Sequence, residues 1–368
     1  MSLNNLALSR TDNLPIKHEG DVHSGKVRSV YWLSQEDSKR ITKERGYPIN
    51  KNSPLGVMVI SDKISAFECN FKSEQGLDGV PGKGAALNQV SKYWFDQFDK
   101  EGLAGNHVLD TPHPLVWIVQ RAKPIMIEAI ARQYITGSMW RGYENGGREI
   151  CGIPLPDGLE KNQELPELLI TPSTKGILKG IPGVPEKDDV NVTRQQLLDN
   201  YQKFGFNFPK DIALYETLLR DGCQLARRKL KDIYEIFVDT KFEFGYVLTQ
   251  DGTDVKMIYI DEGLTPDSSR FWDAIAYLKG IVIEKSKEGF RDFLRFRSGL
   301  EADILTNKER MEERVAMVQN YRVPLNEMMK VAETYRNIAE KITGKPVPKI
   351  TDAKTEILDS LSSYRLVA

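Results

Sequence analysis

Apolar positions change their spacing several times along the chain. Near the start they fall in short β-branched and aromatic runs, GKVRSVYWL and GVMVISD, bounded by Gly, Ser and Asp, a pattern that predicts strands joined by turns. The polar stretch between them, SQEDSKRITKERGYPINKNSP, reads as a surface loop. PGKGAALNQVSKYWFDQF opens on a Pro-Gly turn and then places Leu87, Val90, Tyr93 or Trp94, and Phe98 at helical spacing. VWIVQRA and IMIEAIARQYI read as further strands, and ICGIPLPDGLEKNQELPELLITPSTKG, dense in Pro and Gly, as an irregular crossing segment. From Thr193 to about Arg228 the pattern is helical. IYEIFVDTKFEFGYVLTQDGTDVKMIYIDE then predicts a hairpin, and from about Phe271 the chain is helical again. Leu325, Met328, Met329, Ala332, Tyr335, Ala339 and Ile342 share one helix face, ended by Gly344 and Pro346; the stripe reads as core packing in preference to a partner groove.

Within the hairpin, Val238, Thr240, Phe242 and Phe244 alternate with Asp239, Lys241, Glu243 and Gly245, so the three charged residues share one face of a strand. Asp251-Gly252 is the turn signal. A symmetric hairpin about it sets Glu243 close to opposite Asp261. Like charges across a sheet repel. Either this is a solvated charged face, or a hard cation such as Mg²⁺, which bridges one or two carboxylates to substrate phosphates, brings the pair together.

Bulk properties narrow the choice. The 368 residues are enough for two packed units, and 40% apolar with 28% charged residues is ordinary for a globular protein. The 51 basic and 52 acidic side chains balance, which argues against a large nucleic-acid-binding surface but leaves room for a local anion pocket. Cys69, Cys151 and Cys223 are scattered and odd in number, so reduced cytoplasmic thiols are expected in place of a disulfide frame or zinc cluster. No apolar run approaches the roughly 20 residues that span a bilayer, and MSLNNLALSRTDNLP lacks the pattern of a secretory signal. The four histidines fit no metal or triad spacing, and His107 and His113 are assigned local structural roles.

Two more segments carry candidate chemistry. In GDVHSGKVRSVYWL, Gly25 with Lys26 and Arg28 forms either a loop over nucleotide phosphates or a surface hairpin with two basic residues; no GxxxxGK[ST] pattern is present. Arg132, Ser138 and Arg270, in RQYITGS and TPDSSRFW, suit recognition of phosphate and carboxylate, or equally a helix cap and surface ion pairs.

Taken together, GKVRSVY, SDKISAFE, PGKGAALNQVSKYWF, RAKPIMIEAIARQYITGSMWRGY, LPELLITPSTK, VDTKFEFG, IDEGLTPDSSRFWD and YRNIAEKITGKP resemble, in order, the blocks of the SAICAR synthetase (phosphoribosylaminoimidazole-succinocarboxamide synthase) family. The resemblance implies an α+β fold: a small N-terminal antiparallel-sheet domain, drawn as residues 1–120, and a larger ATP-grasp or kinase-like domain with C-terminal helices, 121–368. It implies ATP in the cleft between them and Mg²⁺ as cofactor. L-Aspartate would be ligated to carboxyaminoimidazole ribonucleotide through an acyl phosphate, with no nucleic-acid or membrane partner. The oligomeric state is left open, a homo-oligomer included.

By position, the resemblance implies that Gly25, Lys26 and Arg28 meet ATP, with Lys123 to Ile125 as hinge, Glu128 on the nucleotide side and Lys241 beside the phosphates. Arg132, Ser138 and Arg270 would grip the nucleotide substrate, Glu243 and Asp261 would ligate Mg²⁺, and Asp62, Ser65 and Lys83 would border the acceptor and aspartate site, Asp62 and Lys83 with Lys241 as the catalytic set. Two blocks depart from the family pattern. SDKISAFE has Lys63 for Arg and Glu68 for Asp. DDVNVT keeps Asp189, Asn191 and Thr193 but has Asp188 for His and Val190 for Glu, which bears on the role of Asp189 in substrate binding. Extra sequence near 34–54 and 286–330 would cover the cleft or make subunit contacts. The same residues leave two other readings open: a small-molecule kinase on a related scaffold, which needs no Arg132–Ser138–Arg270 cluster, and an inactive nucleotide-binding scaffold.

Overall fold

The computed structural model describes residues 6–368; the first five residues of the N-terminal stretch discussed above lie outside the described residues. Two antiparallel sheets organise the molecule. The first orders its strands His23–Ser24, Arg28–Trp32, Leu55–Ile60, Val116–Gln120 and Val108–His113. Its alternation buries Tyr31, Val57 and Val59 completely. The segment after Trp32, read as a loop, instead holds the helix Gln35–Arg45. Ser34 caps its N-terminus by accepting from the Asp37 N–H, Glu36 and Asp37 occupy the first turn, Lys43 and Arg45 the last, and Gly46 closes it in the left-handed region. The caps were legible; the apolar stripe was not, because only Ile41 is a large buried apolar residue, with Ser38 and Thr42 beside it.

The second sheet is built around one 14-residue strand, Glu235–Leu248. It pairs with Ile127–Tyr134 and Ser269–Asp273 on one stretch, and with Val255–Ile260 and Lys123–Pro124 on the next. The Pro-rich segment read as irregular supplies a further strand, Glu164–Ile170, bulged where it pairs with Ile127–Tyr134. Phe271 likewise lies in a strand and not in the helical tail. The helix Lys210–Asp232 packs under this sheet: Tyr215 meets Phe244, and the Phe242 ring edge lies against Gly222.

Helix Lys83–Lys100 lies against Leu325–Thr343, whose buried face is Met328, Val331, Ala332, Tyr335, Ile338, Ala339 and Ile342; Met329, assigned to that stripe, is 44% exposed. The main hydrophobic cluster is continuous through both sheets. The end of the chain returns to the first sheet: Lys17 N–H donates to Leu366 O, and Tyr364 OH to Asp110 Oδ2 at 2.6 Å.

Candidate active site

Because Phe242 and Phe244 face the helix Lys210–Asp232, the alternating residues Asp239, Lys241 and Glu243 face the other way. Asp239 and Lys241 line a cavity of about 500 Å³, in which basic side chains outnumber acidic ones. Its two ends differ in chemistry.

At one end stands a row of three residues from three adjacent strands. Asp239 pairs in register with Arg132 on one side and, through a bulge after Phe237, with Arg270 on the other. Its Oδ2 accepts from Arg270 Nη1, with Arg132 Nη1 at 3.7 Å. Arg132 Nε donates to Thr171 Oγ1 (2.9 Å). Beyond Arg270, Glu288 accepts from Arg270 and Arg291 (3.1 Å each) and from Arg295 (2.7 Å). Burial opposes the charge on Glu288, but the three guanidinium groups outweigh it and hold the carboxyl far below its usual range. Helix Gly137–Glu144 closes this end with Ser138 and Arg141, positioned by a satellite core of Ile135, Met139, Tyr143, Leu155 and Leu165. Gly137 has φ 57°, and a Cβ there would lie 2.5 Å from Arg270 Nη2, so only glycine admits the Arg270 fork. Among the described residues Arg141 makes no ion pair, and Arg270 Nε and Arg295 Nε are buried without an acceptor. Guanidinium donors in surplus over carboxylate acceptors make this end fit for a phosphate or carboxylate.

Past Lys241 and Glu128, which still line the cavity, the cations are lysines, and Lys175, Glu243 and Asp261 stand behind the lining. Lys241 Nζ donates to Glu128 Oε1 (2.7 Å) and Glu243 Oε1 (3.4 Å), while Lys175 Nζ donates to Glu243 Oε2. The hairpin register differs by one residue from the symmetric expectation: Glu243 pairs with Ile260, not Asp261. Such a slip ordinarily sends a side chain to the opposite face. Here the strand ends at Ile260, and Asp261 takes a left-handed backbone, φ 61°. His107 Nε2 donates to the Asp261 carbonyl at 3.2 Å, and Arg28 Nη1 lies 3.3 Å from its Oδ1. Burial raises the Asp261 carboxyl, but Arg28, Lys175 and Lys241 outweigh it and hold the group below the ordinary range. The two carboxylates therefore share the same pair of lysines. Burial drives the His107 ring down to about 4, so it is neutral.

The other sequence candidates divide. Lys26, Ser65, Glu128, Ser138 and Asp189 line the cavity. Gly25 and Lys26 form the turn of a hairpin, with Gly25 N–H donating to Arg28 O. Arg28 is engaged by Asp261 and by Glu262 (2.9 Å), so it anchors the loop that follows Ile260 and is not free for phosphate. Lys123 is exposed, and buried Ile125 donates its N–H to Phe244 O; this junction continues the central strand past Glu243, outside the cavity lining. Asp62 and Lys83 also lie outside the lining. Asp62 accepts from the N–H groups of Leu8 and Gly84 (2.8 Å each), and burial pushes its carboxyl up to about 6. Lys83 is wholly buried, its Nζ 2.8 Å from Asp267 Oδ2. These two hold the scaffold, with Lys83 reaching the cavity only through Asp267.

In the altered DDVNVT block, Asp188 accepts from Gly176 N–H, Asn191 bridges to Ser173, Thr193 caps a helix, and Asp189 pairs with Lys308 at 2.8 Å. The extra segment 286–330 supplies Lys287, Arg291, Arg295, Lys308 and Arg314 to the cavity, whereas 34–54 supplies nothing to it. Sequence reasoning missed Lys175 and the lysine–arginine series. The series had a signal: Lys287, Arg291 and Arg295 recur every four residues, the spacing of one helix face.

Two anion-handling ends on one sheet define a class: an α+β enzyme fold that holds charged small molecules side by side. A family model described as SAICAR synthetase matches residues 21–311. Phosphoribosylaminoimidazole-succinocarboxamide synthases of Vibrio parahaemolyticus and Vibrio cholerae are each 58% identical over 368 residues, and that of Shewanella oneidensis 57%, covering all of both chains. The solved structure of SAICAR-synthase from Saccharomyces cerevisiae complexed with SAICAR matches with a TM-score of 0.63 at 25% identity, over 93% of this chain and 99% of that one. The chain belongs to the SAICAR synthetase family. Among the described residues no helix is long and apolar enough to cross a membrane.

Proposed function

We propose that this protein is an ATP-dependent carbon–nitrogen ligase of purine biosynthesis, joining L-aspartate to carboxyaminoimidazole ribonucleotide to give SAICAR, ADP and phosphate. The observation that carries the reading is the charged face of the strand Glu235–Leu248, with an arginine grip at Asp239 and a lysine–carboxylate cluster at Glu243. Arg132, Ser138, Arg141 and Arg270 hold the phosphate and carboxylate of the imidazole nucleotide, bordered by Ser65 and Asp189. Lys26, Lys241 and Glu128 face ATP, with the Lys123–Ile125 junction as its hinge.

Hard oxygen donors at Glu243 and Asp261 suit Mg²⁺. Among the described residues no three His, Cys, Asp or Glu form a ready-made metal cage, but one or two carboxylates completed by phosphates need none. Bound there, the ion would neutralise phosphate charge. The substrate carboxylate is a poor electrophile, so its phosphorylation supplies a leaving group before the aspartate amine attacks. Positioning by the arginine forks and charge stabilisation by Lys241 then carry the rate.

We assign residues up to 120, with 353–368 added, to a first unit and the remainder to a second, the cavity lying where they meet. Free thiols at all three cysteines suit a cytoplasmic enzyme.

The test is ADP release measured with each substrate omitted in turn. The ligase reading requires both the imidazole nucleotide and aspartate for sustained turnover. ADP release independent of aspartate, with a phosphorylated product accumulating, would instead establish the kinase reading; the arginine grip favours the ligase.

A further inference from the structure

A primary amine can attack an acyl phosphate only after its ammonium form gives up a proton, so the ligation needs a base in the cavity. Most carboxylates lining it are poor candidates; Glu68, which is exposed, and Asp188, which accepts from the Gly176 N–H, are the two without a cationic partner among the described residues. Asp239 and Glu288 are clamped by guanidinium groups, Glu262 by Arg28 and Thr265, Glu128 by Lys241, and Asp189 by Lys308. Lys241 and Lys175 are themselves hydrogen-bonded to carboxylates.

Lys287 is different. It sits just before helix Glu288–Phe296, and its side chain is 12% exposed, towards the cavity it lines. Its only ionic partner among the described residues is Asp267, at 3.5 Å, and its Nζ makes no hydrogen bond. Asp267 is already taken: Lys83 Nζ stands 2.8 Å from the same Oδ2, and Tyr335 OH donates to Oδ1. Two ammonium groups thus share one saturated carboxylate, and the one with the shorter contact is sealed from solvent.

We propose that Lys287, as the neutral amine, removes the proton from the aspartate ammonium, a role that rests on the ligase reading above. The step balances. The proton passes from the aspartate nitrogen to Lys287 Nζ, and the freed lone pair forms the C–N bond at the acyl carbon. The bond from that carbon to the phosphate oxygen breaks with its electron pair on phosphate, which leaves with the second amine proton. Lys287 then returns its proton to water. The groups facing Lys287 from every side favour this. Burial lowers its proton affinity, Asp267 and Glu262 raise it, and Arg291 and Lys83 lower it, leaving the group at about 8, close to working pH.

Hydroxylamine, uncharged at neutral pH, separates base catalysis from binding because it needs no deprotonation. In Lys287→Arg, which keeps the charge but cannot give it up, aspartate-dependent SAICAR formation is expected to fall by about 10²- to 10³-fold, while ATP-dependent hydroxamate formation from the imidazole nucleotide stays within about threefold. The acid limb of the wild-type kcat profile should also vanish in the variant. Equal losses with both nucleophiles, or unchanged aspartate turnover, would overturn the proposal. Lys287→Gln provides the same comparison if the arginine variant does not fold. Failure of the wild-type enzyme to form either product would instead refute the ligase reading itself.

Discussion

Asp239 and Glu243 stand four residues apart on one strand and point into the same face, yet they are held in opposite ways. Asp239 lies between two arginines fixed in the sheet register, and its neighbour Glu288 collects three more guanidinium contacts. Glu243 lies between two lysines that it shares with Glu128 and Asp261. Arginine stays charged and offers a rigid planar fork; lysine is a compact, movable point charge whose proton affinity shifts on burial. Accordingly Arg270 is driven further up by Asp239 and Glu288 against the cost of burial, whereas burial pulls Lys175 down. A fixed fork suits an anion that must be held in one pose through the reaction. A movable charge suits a triphosphate and a cation whose arrangement changes as a phosphoryl group is transferred.

The comparison breaks most visibly at Glu243. If the lysine end is the metal end, as proposed, Glu243→Gln or Asp261→Asn removes a hard ligand and unbalances the lysine pair, so kcat is expected to fall by about a thousandfold; near-normal turnover in steady-state assays would mean it is not. Next in size is a pH effect confined to that end. The folded His107 ring takes up its proton only near pH 4, against 6.5 for an ordinary ring. As pH falls through that window the unfolded chain gains a proton that the folded one does not, so stability is present above 6.5 and drains away towards 4. The His107→Gln variant should lack this component, worth about 3 kcal/mol across the window, as read from denaturant midpoints at each pH. The smallest effect sharpens the arginine end: Arg270→Lys keeps the charge but loses the fork, and should raise KM for the imidazole nucleotide about tenfold with kcat nearly intact.

Much of this contrast was legible in the sequence because strand alternation fixes which side chains share a face. Asp239, Lys241 and Glu243 share one face by period alone, and Arg132, Ser138 and Arg270 line the same cavity as Asp239 and Lys241. What failed did so for physical reasons. The hairpin register differs by one because its dyad falls between Asp251 and Gly252 and not on Gly252: Leu248 pairs with Val255 and Glu243 with Ile260, and Thr249 N–H closes the loop on Asp254 O. Asp261 kept its place through a left-handed residue that no alternation rule foresees. The resemblance set Asp62 and Lys83 at the acceptor and aspartate site, but both are buried and lie outside the cavity lining. Lys287, Arg291 and Arg295 carry a helix-face spacing in the sequence, inside the extra segment 286–330.

Calorimetric titration of Glu243→Gln and Arg270→Ala, each with a Mg²⁺-loaded non-hydrolysable ATP analogue and separately with the imidazole nucleotide, tests the division most directly. The account predicts a crossed pattern: Glu243→Gln loses affinity for the ATP analogue and keeps the imidazole nucleotide, and Arg270→Ala does the reverse. Parallel losses of both ligands in both variants would contradict it.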